Sequence, residues 1–217
     1  MSQSRRTAAI AGSLYFVTHV TSIAAVVLYG GSAFDPFAEL GSRTAVLTGG
    51  LLEVLLALAV VGTGVALFPL LRSAAPGLAV SYVALRTLEA SVILTGVVVL
   101  LPVVGRPATT TAPGLSPEVI DGLRLIHDWT FLVGPGLVVP VHTVLLATLL
   151  WRHRLVPRFV PVLGFVGGPI IAIMNAGVLY GAFTVQPLLT LPIWAWEVSL
   201  AIVLITRGIR PAEPAQP

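Results

Sequence analysis

The chain has 217 residues, 56% of them hydrophobic and 10% charged, with a mean hydropathy of +0.98. Soluble domains carry about 25% charged residues, so this composition excludes a water-soluble globule and indicates a chain mostly immersed in lipid. All 12 basic residues are arginine, for a net charge of +3, yet no basic patch is interleaved with aromatics, which argues against nucleic acid as a partner; the absence of cysteine removes disulfides, thiolate metal sites and a cysteine nucleophile.

An apolar run over 8–29 follows Ser4-Arg5-Arg6. At about 22 residues, with no small-x-small cleavage site, it is too long for a signal peptide and reads as an uncleaved first span. It carries His19. Asp35-Pro36, Glu39 and Gly41 are turn signals that separate it from a second span over 45–71. That span holds Glu53, and Gly62 and Gly64 let a neighbouring helix approach closely. After a tight turn at Arg72 to Pro76 comes a third span, 79–104, with Arg86 and Glu89 inside it. A charge at such depth costs about 2.5–3.5 kcal/mol on insertion scales, so both need partners. Three residues apart, they share a helical face and can pair with each other.

Gly105 to Ser116 reads as an extended loop, and Ser116-Pro117-Glu118 as a helix start outside the membrane, with Ser as cap and an acid in the first turn. Asp121, Arg124 and Asp128 share a face there as a solvated ion-pair strip. The fourth span, 129–151, lies between Trp129 and Trp151, and Gly134-Pro135-Gly136 with Pro140 predict a kink or break before His142. Arg152 to Arg158 is the most basic segment and suits lipid headgroups. A fifth span, 159–182, carries Gly164, Gly167, Gly168, Pro169 and then Asn175, a helix-to-helix hydrogen-bonding residue. The sixth, 188–206, carries Trp194, Trp196 and Glu197. The fold expected is all-α: a polytopic membrane protein of six transmembrane helices in one bundle and one domain.

Eight arginines, Arg5, Arg6, Arg72, Arg152, Arg154, Arg158, Arg207 and Arg210, fall on one side, against Arg43, Arg106 and Arg124 on the other. The positive-inside rule then puts both termini in the cytoplasm. With ~1.5 Å per residue, His19 lies ~16 Å and Glu89 ~15 Å from the cytoplasmic edge, Arg86 and His142 ~10–11 Å from it, and Glu53 ~12 Å and Glu197 ~14 Å from the outer edge. These six residues are the candidate polar centre. Polar residues in spans also serve merely to tie helices together. One Arg86–Glu89 pair, however, leaves two acids and two histidines unaccounted for. His127, His19 and His142 fall at different depths, so no shared metal is expected, and nothing calls for a cofactor. His127, Asn175, Trp194 and Trp196 are secondary candidates.

Leu85-Arg86-Thr87-Leu88-Glu89-Ala90, His127 opening the fourth span, Val156-Pro157-Arg158 through Leu163-Gly164, Glu197-Val198-Ser199-Leu200 and Arg207-Gly208 together give the chain a familiar layout. It resembles the bacterial multi-pass family known only as domain of unknown function 4386. The resemblance implies a compact helical protein of the bacterial plasma membrane and supplies no activity; Pro135 and Pro140 are departures from its pattern. Three functions fit the residues. The first is binding or proton-linked transport of a small amphiphilic or cationic ligand at the buried acids. The second is a membrane enzyme acting on a lipid or isoprenoid, with a protonated carboxyl as general acid and a carboxylate or His19 as base. That enzyme needs a cavity open sideways to lipid and lined by Trp194 or Trp196. The third is a structural or partner-binding subunit. Beyond the lipid bilayer the sequence names no partner, and it leaves the oligomeric state open.

Overall fold

A computed structural model describes residues 2–30, 42–104 and 115–210. The turn at Asp35-Pro36, the loop at 105–114 and the polar tail lie outside the described residues. The order is α1 (Gln3–Leu28), α2 (Arg43–Leu71), α3 (Pro76–Val104), α4 (Pro117–Val133), a π-helical turn (Gly134–Val138), α5 (Val139–Arg152), α6 (Phe159–Leu179), a short 3₁₀ turn (Pro187–Thr190) and α7 (Leu191–Thr206). Six helices are long and apolar enough to cross a membrane, with α4, the π turn and α5 forming one run, Pro117–Arg152. Among the described residues the fold is all-helical, as the composition and run lengths predict.

Boundary shifts have local causes. The first helix begins at Gln3 because the Ser2 side chain accepts a hydrogen bond from the Arg5 amide. The fourth starts at Pro117, after an extended Ser116, with Glu118 in the first turn as expected; the Ser116 side chain, expected to cap it, makes no capping hydrogen bond. The Gly-Pro-Gly break is absorbed as a π turn, so the chain changes helical phase without leaving the helix. The fifth span ends early, at Leu179, where Gly181 takes a φ of +67°.

Packing follows chain order: α1 on α2, α2 on α3, α3 on both α4 and α5, α5 on α6, α6 on α7, and α7 back on α1. The six spans therefore form a closed ring. Small residues set its close contacts, since lipid gives helices no hydrophobic reason to associate. A Cβ at Gly12 would sit 2.7 Å from the Ala201 carbonyl on α7, and one at Gly167 would sit 2.7 Å from the Ile193 amide. Large apolar side chains such as Val20, Leu51, Leu58, Val98 and Ile173 point outward and stay exposed, as expected of a lipid-facing surface.

The inside of the ring differs from end to end. Around the α1 start and the α7 end the interior is solid, with Tyr15, Leu67, Tyr82, Leu146, Leu150, Trp196 and Leu200 in one buried cluster. Towards the other end a smaller cluster of Leu56, Ala57, Val60, Ala90 and Ile93 joins α2 to α3. Between these packed regions the ring is open inside.

Candidate functional site

That opening is a cavity of about 380 Å³ bounded by all six spans. Its polar lining includes His19 from α1, Arg86 and Glu89 from α3, Asn175 from α6 and Glu197 from α7. Its apolar lining includes Ile23, Phe131, Ile171, Met174 and Trp194. Among the lining residues Ile23 and Trp194 are themselves exposed, 60% and 49%, which puts the mouth between α1 and α7.

Arg86 forms the sealed wall of the cavity. Its Nη1 donates to Glu89 Oε2 at 3.0 Å, and its Nε donates to Thr63 Oγ1 at 3.0 Å and to the Val60 carbonyl at 3.3 Å. His142 Nε2 lies 2.9 Å from the same Glu89 oxygen. The guanidinium sits 5.6 Å over the Tyr15 ring, and the Tyr15 and Tyr82 hydroxyls share a 2.6 Å hydrogen bond beneath it. Arg86, Glu89 and His142 are 2%, 4% and 2% exposed, so their charges are compensated by one another and hardly by water.

The second pair is built differently. His19 Nδ1 lies 2.7 Å from the Tyr15 carbonyl, which can only accept, so Nδ1 carries a proton. That leaves Nε2 facing Glu197 Oε2 at 3.3 Å. A proton held between these two atoms, on either one, makes the pair neutral. These side chains are 15% and 17% exposed, and both belong to the cavity wall. Asn175 Nδ2 donates to the Ile171 carbonyl at 2.9 Å, which fixes the amide with its oxygen turned away from that carbonyl.

A third polar group is separate. His127 Nε2 lies 3.1 Å from Glu53 Oε2, and its Nδ1 lies 3.2 Å from Asp128 Oδ1. Tyr29 meets the imidazole edge-on at 5.3 Å between centroids, and Phe131 packs at the same distance. Gly96 makes room for it, since a Cβ there would collide with Thr130 Oγ1 and sit 3.2 Å from His127 Cδ2.

The family model described as "Domain of unknown function (DUF4386)" matches residues 10–208. The chain belongs to this family. Membership agrees with the resemblance found in the short motifs and brings no activity with it. No curated protein and no solved structure matches the chain.

Within this family member, five of the six candidate-centre residues converge: Arg86, Glu89 and His142 in one network, and His19 with Glu197 across the same cavity. Glu53 does not join them. It shares an inner helical face with Val60, but seven residues, ~10 Å of rise, separate the Val60 carbonyl that Arg86 reaches from the Glu53 carboxylate, and Leu56 and Ala57 fill that interval. His127, expected at the rim, is 4% exposed and pairs with Glu53. Asp128 of the expected strip turns to His127, while Asp121 stays 3.9 Å from Arg124. Of the two tryptophans, Trp194 lines the cavity. Trp196 is buried on the other face of α7, where a Cβ at Gly164 would lie 3.0 Å from its ring. Groups of three or more histidine and acidic residues able to hold a metal are absent among the described residues. The missed partnership of Glu53 with His127 had a sequence signal: each is an ionisable residue in the first half of its span, and the second and fourth spans start from the same end of the bundle.

Proposed function

We propose that this protein binds a small amphiphilic molecule in the central cavity and carries it through the membrane in a proton-linked step, with the His19–Glu197 pair as the exchanging group. The observation that carries this reading is the cavity itself. At about 380 Å³ it has the volume of a small-molecule site, mostly apolar with a few convergent polar groups. Ionisable groups facing the inside of a bundle at membrane depth are expensive and mark functional paths. Of the two carboxylates on the wall, Glu197 alone is free of the arginine. Its mouth between α1 and α7 opens on the side of the bundle, where an amphiphile dissolved in the bilayer would enter. Both termini lie in the cytoplasm on this reading, because the arginines concentrate at that end.

The test uses proteoliposomes loaded with a pH-sensitive dye. Octylamine and octanol are added outside in turn. Wild-type vesicles are expected to show a saturable proton flux with at least one amphiphile, and Glu197→Gln vesicles none above the lipid-only rate. Equal flux through both proteins would remove the transport reading.

A second reading is favoured by the 3.3 Å approach of His19 to Glu197 beside a lateral mouth lined by Trp194. An imidazole and a carboxyl in that relation can act as base and acid on a lipid or isoprenoid. Purified protein incubated with total membrane lipid would then produce a new species by mass spectrometry, and the His19→Gln variant would not.

A further inference from the structure

From the acceptors left open in the cavity we infer that its ligand is a protonated amine, and that each amine bound expels one proton. This inference rests on the binding reading above and names the class of ligand.

The charge count comes first. The titratable or charged groups lining the cavity are His19 on α1, Arg86 and Glu89 on α3 and Glu197 on α7; Tyr15 and Tyr82 lie behind Arg86, His142 on α5 lies behind Glu89, and among the described residues α2 and α6 supply none to the lining. Arg86 and Glu89 cancel at 3.0 Å. With neutral imidazoles the remainder is one negative charge, on Glu197. In a water-poor setting that charge requires one positive partner. One proton held between His19 Nε2 and Glu197 supplies it when the cavity holds no cation, and a cationic guest supplies it otherwise. The two states exchange as guest ammonium in, one proton out, and no bond to carbon forms or breaks.

Hydrogen-bond capacity points the same way. Glu89 Oε2 takes both Arg86 and His142, while Oε1 receives no donor among the described residues. Asn175 is 4% exposed, one of its two amide N–H groups goes to the Ile171 carbonyl, and its oxygen receives no donor among the described residues either. Glu197 adds the carboxylate oxygen that His19 leaves. Three acceptors wait for N–H groups; on the donor side Arg86 has its Nε and Nη1 committed to the wall, which leaves its Nη2 and the Ser22 hydroxyl. Trp194 lies three residues before Glu197, hence on the same face of α7, and offers an aromatic surface to the cation or to its apolar body.

The experiment is equilibrium binding to purified full-length protein in neutral detergent, read by tryptophan fluorescence and by calorimetry in two buffers of different ionisation enthalpy. The probes are octylamine, octanol, octanoate and octyltrimethylammonium, with the 1-naphthylmethyl amine and alcohol as a second body shape. Amines are expected to bind ~10-fold or more tighter than the matched alcohols, as a charge-assisted hydrogen bond allows. The trimethylammonium probe, which has charge but no N–H, falls between. Amine affinity rises ~10-fold per pH unit wherever the empty cavity holds its proton, because binding must release it, and alcohol affinity stays flat. Glu197→Gln is expected to erase the amine preference, and its folding is checked separately, by its elution as a single species and by its thermal unfolding transition in the same detergent. Alcohols bound as tightly as amines, or carboxylates bound more tightly, overturn the amine assignment and leave the cavity reading standing. Amine binding without proton release overturns the exchange. Binding of none of the probes overturns both inferences together.

Discussion

Glu89 with His142 and Glu197 with His19 are the same chemical pair built twice on opposite sides of one ring, the first joining α3 to α5 and the second joining α7 to α1. They differ in what stands behind them. Glu89 has an arginine on the same oxygen that His142 meets, and the side chains are 5% and 3% exposed. Glu197 has no arginine within salt-bridge distance among the described residues, only the imidazole of His19, and its side chain is 17% exposed, His19's 15%. A carboxylate tied to a fixed guanidinium cannot change its charge without stranding that guanidinium. A carboxylate balanced by a proton can. The sealed pair therefore holds helices together, and the open pair is the one able to respond to a ligand.

The strongest test of this contrast removes the sealed acid. Glu89→Ala leaves Arg86 buried with one Nη1 partner gone, and removing one member of a buried pair costs about 3–5 kcal/mol. Reversible unfolding in mixed micelles should register that loss. Replacing both residues, Arg86→Met with Glu89→Met, should cost much less than the sum of the two single changes, since no charge is left alone. Additive losses would mean that the two are independent and the sealed pair is no pair.

The third polar group sharpens the comparison from outside the cavity. Glu53→Gln keeps the volume and weakens the contact to His127, for an expected loss of about 1–3 kcal/mol. Ligand binding in the cavity should not change, because Leu56 and Ala57 lie between. Gly96→Ala should cost about 1–3 kcal/mol as the new methyl meets Thr130 Oγ1 and pushes α4 away. Thr130→Ala added to it should recover most of the loss. A change in ligand affinity on Glu53→Gln would join the third group to the cavity and dissolve the distinction drawn here.

Much of this was legible in the sequence, and the part that was not has a physical explanation. Run length gave the six helices, and the three-residue spacing of Arg86 and Glu89 gave the one ion pair that a single helix can make with itself. Depth along each helix brought His19, His142 and Glu197 to a shared level. Depth carries no azimuth, however, so it could not tell that Glu53 meets His127 across α2 and α4 rather than Arg86. The π turn at Gly134–Val138 adds to this, because i→i+5 bonding re-phases every residue after it. Counting from His127 at the α-helical period therefore misdirects His142. The cavity could not be read at all, since it exists only where six helices, held apart at one end and close at Gly12, fail to fill the middle.

The smallest expected effect on stability is the most telling. Glu197→Gln removes a charge that is balanced only by a proton, and the proton leaves with it, so no ion is stranded as Arg86 is by loss of Glu89. The glutamine can still place an oxygen near His19 Nε2 or a nitrogen toward it, so one neutral hydrogen bond replaces another. Such a bond is worth about 0.5–1.5 kcal/mol net, and most of it is kept, so the variant should unfold within ~1 kcal/mol of wild type in the same micelles. A loss comparable to that of Glu89→Ala would show that the open pair also clamps helices, and the division of labour between the two sides of the ring would fail. A near-silent change in stability, in a variant that no longer distinguishes amine from alcohol, leaves Glu197 with ligand chemistry as its role, because a group retained for packing could not be removed so cheaply.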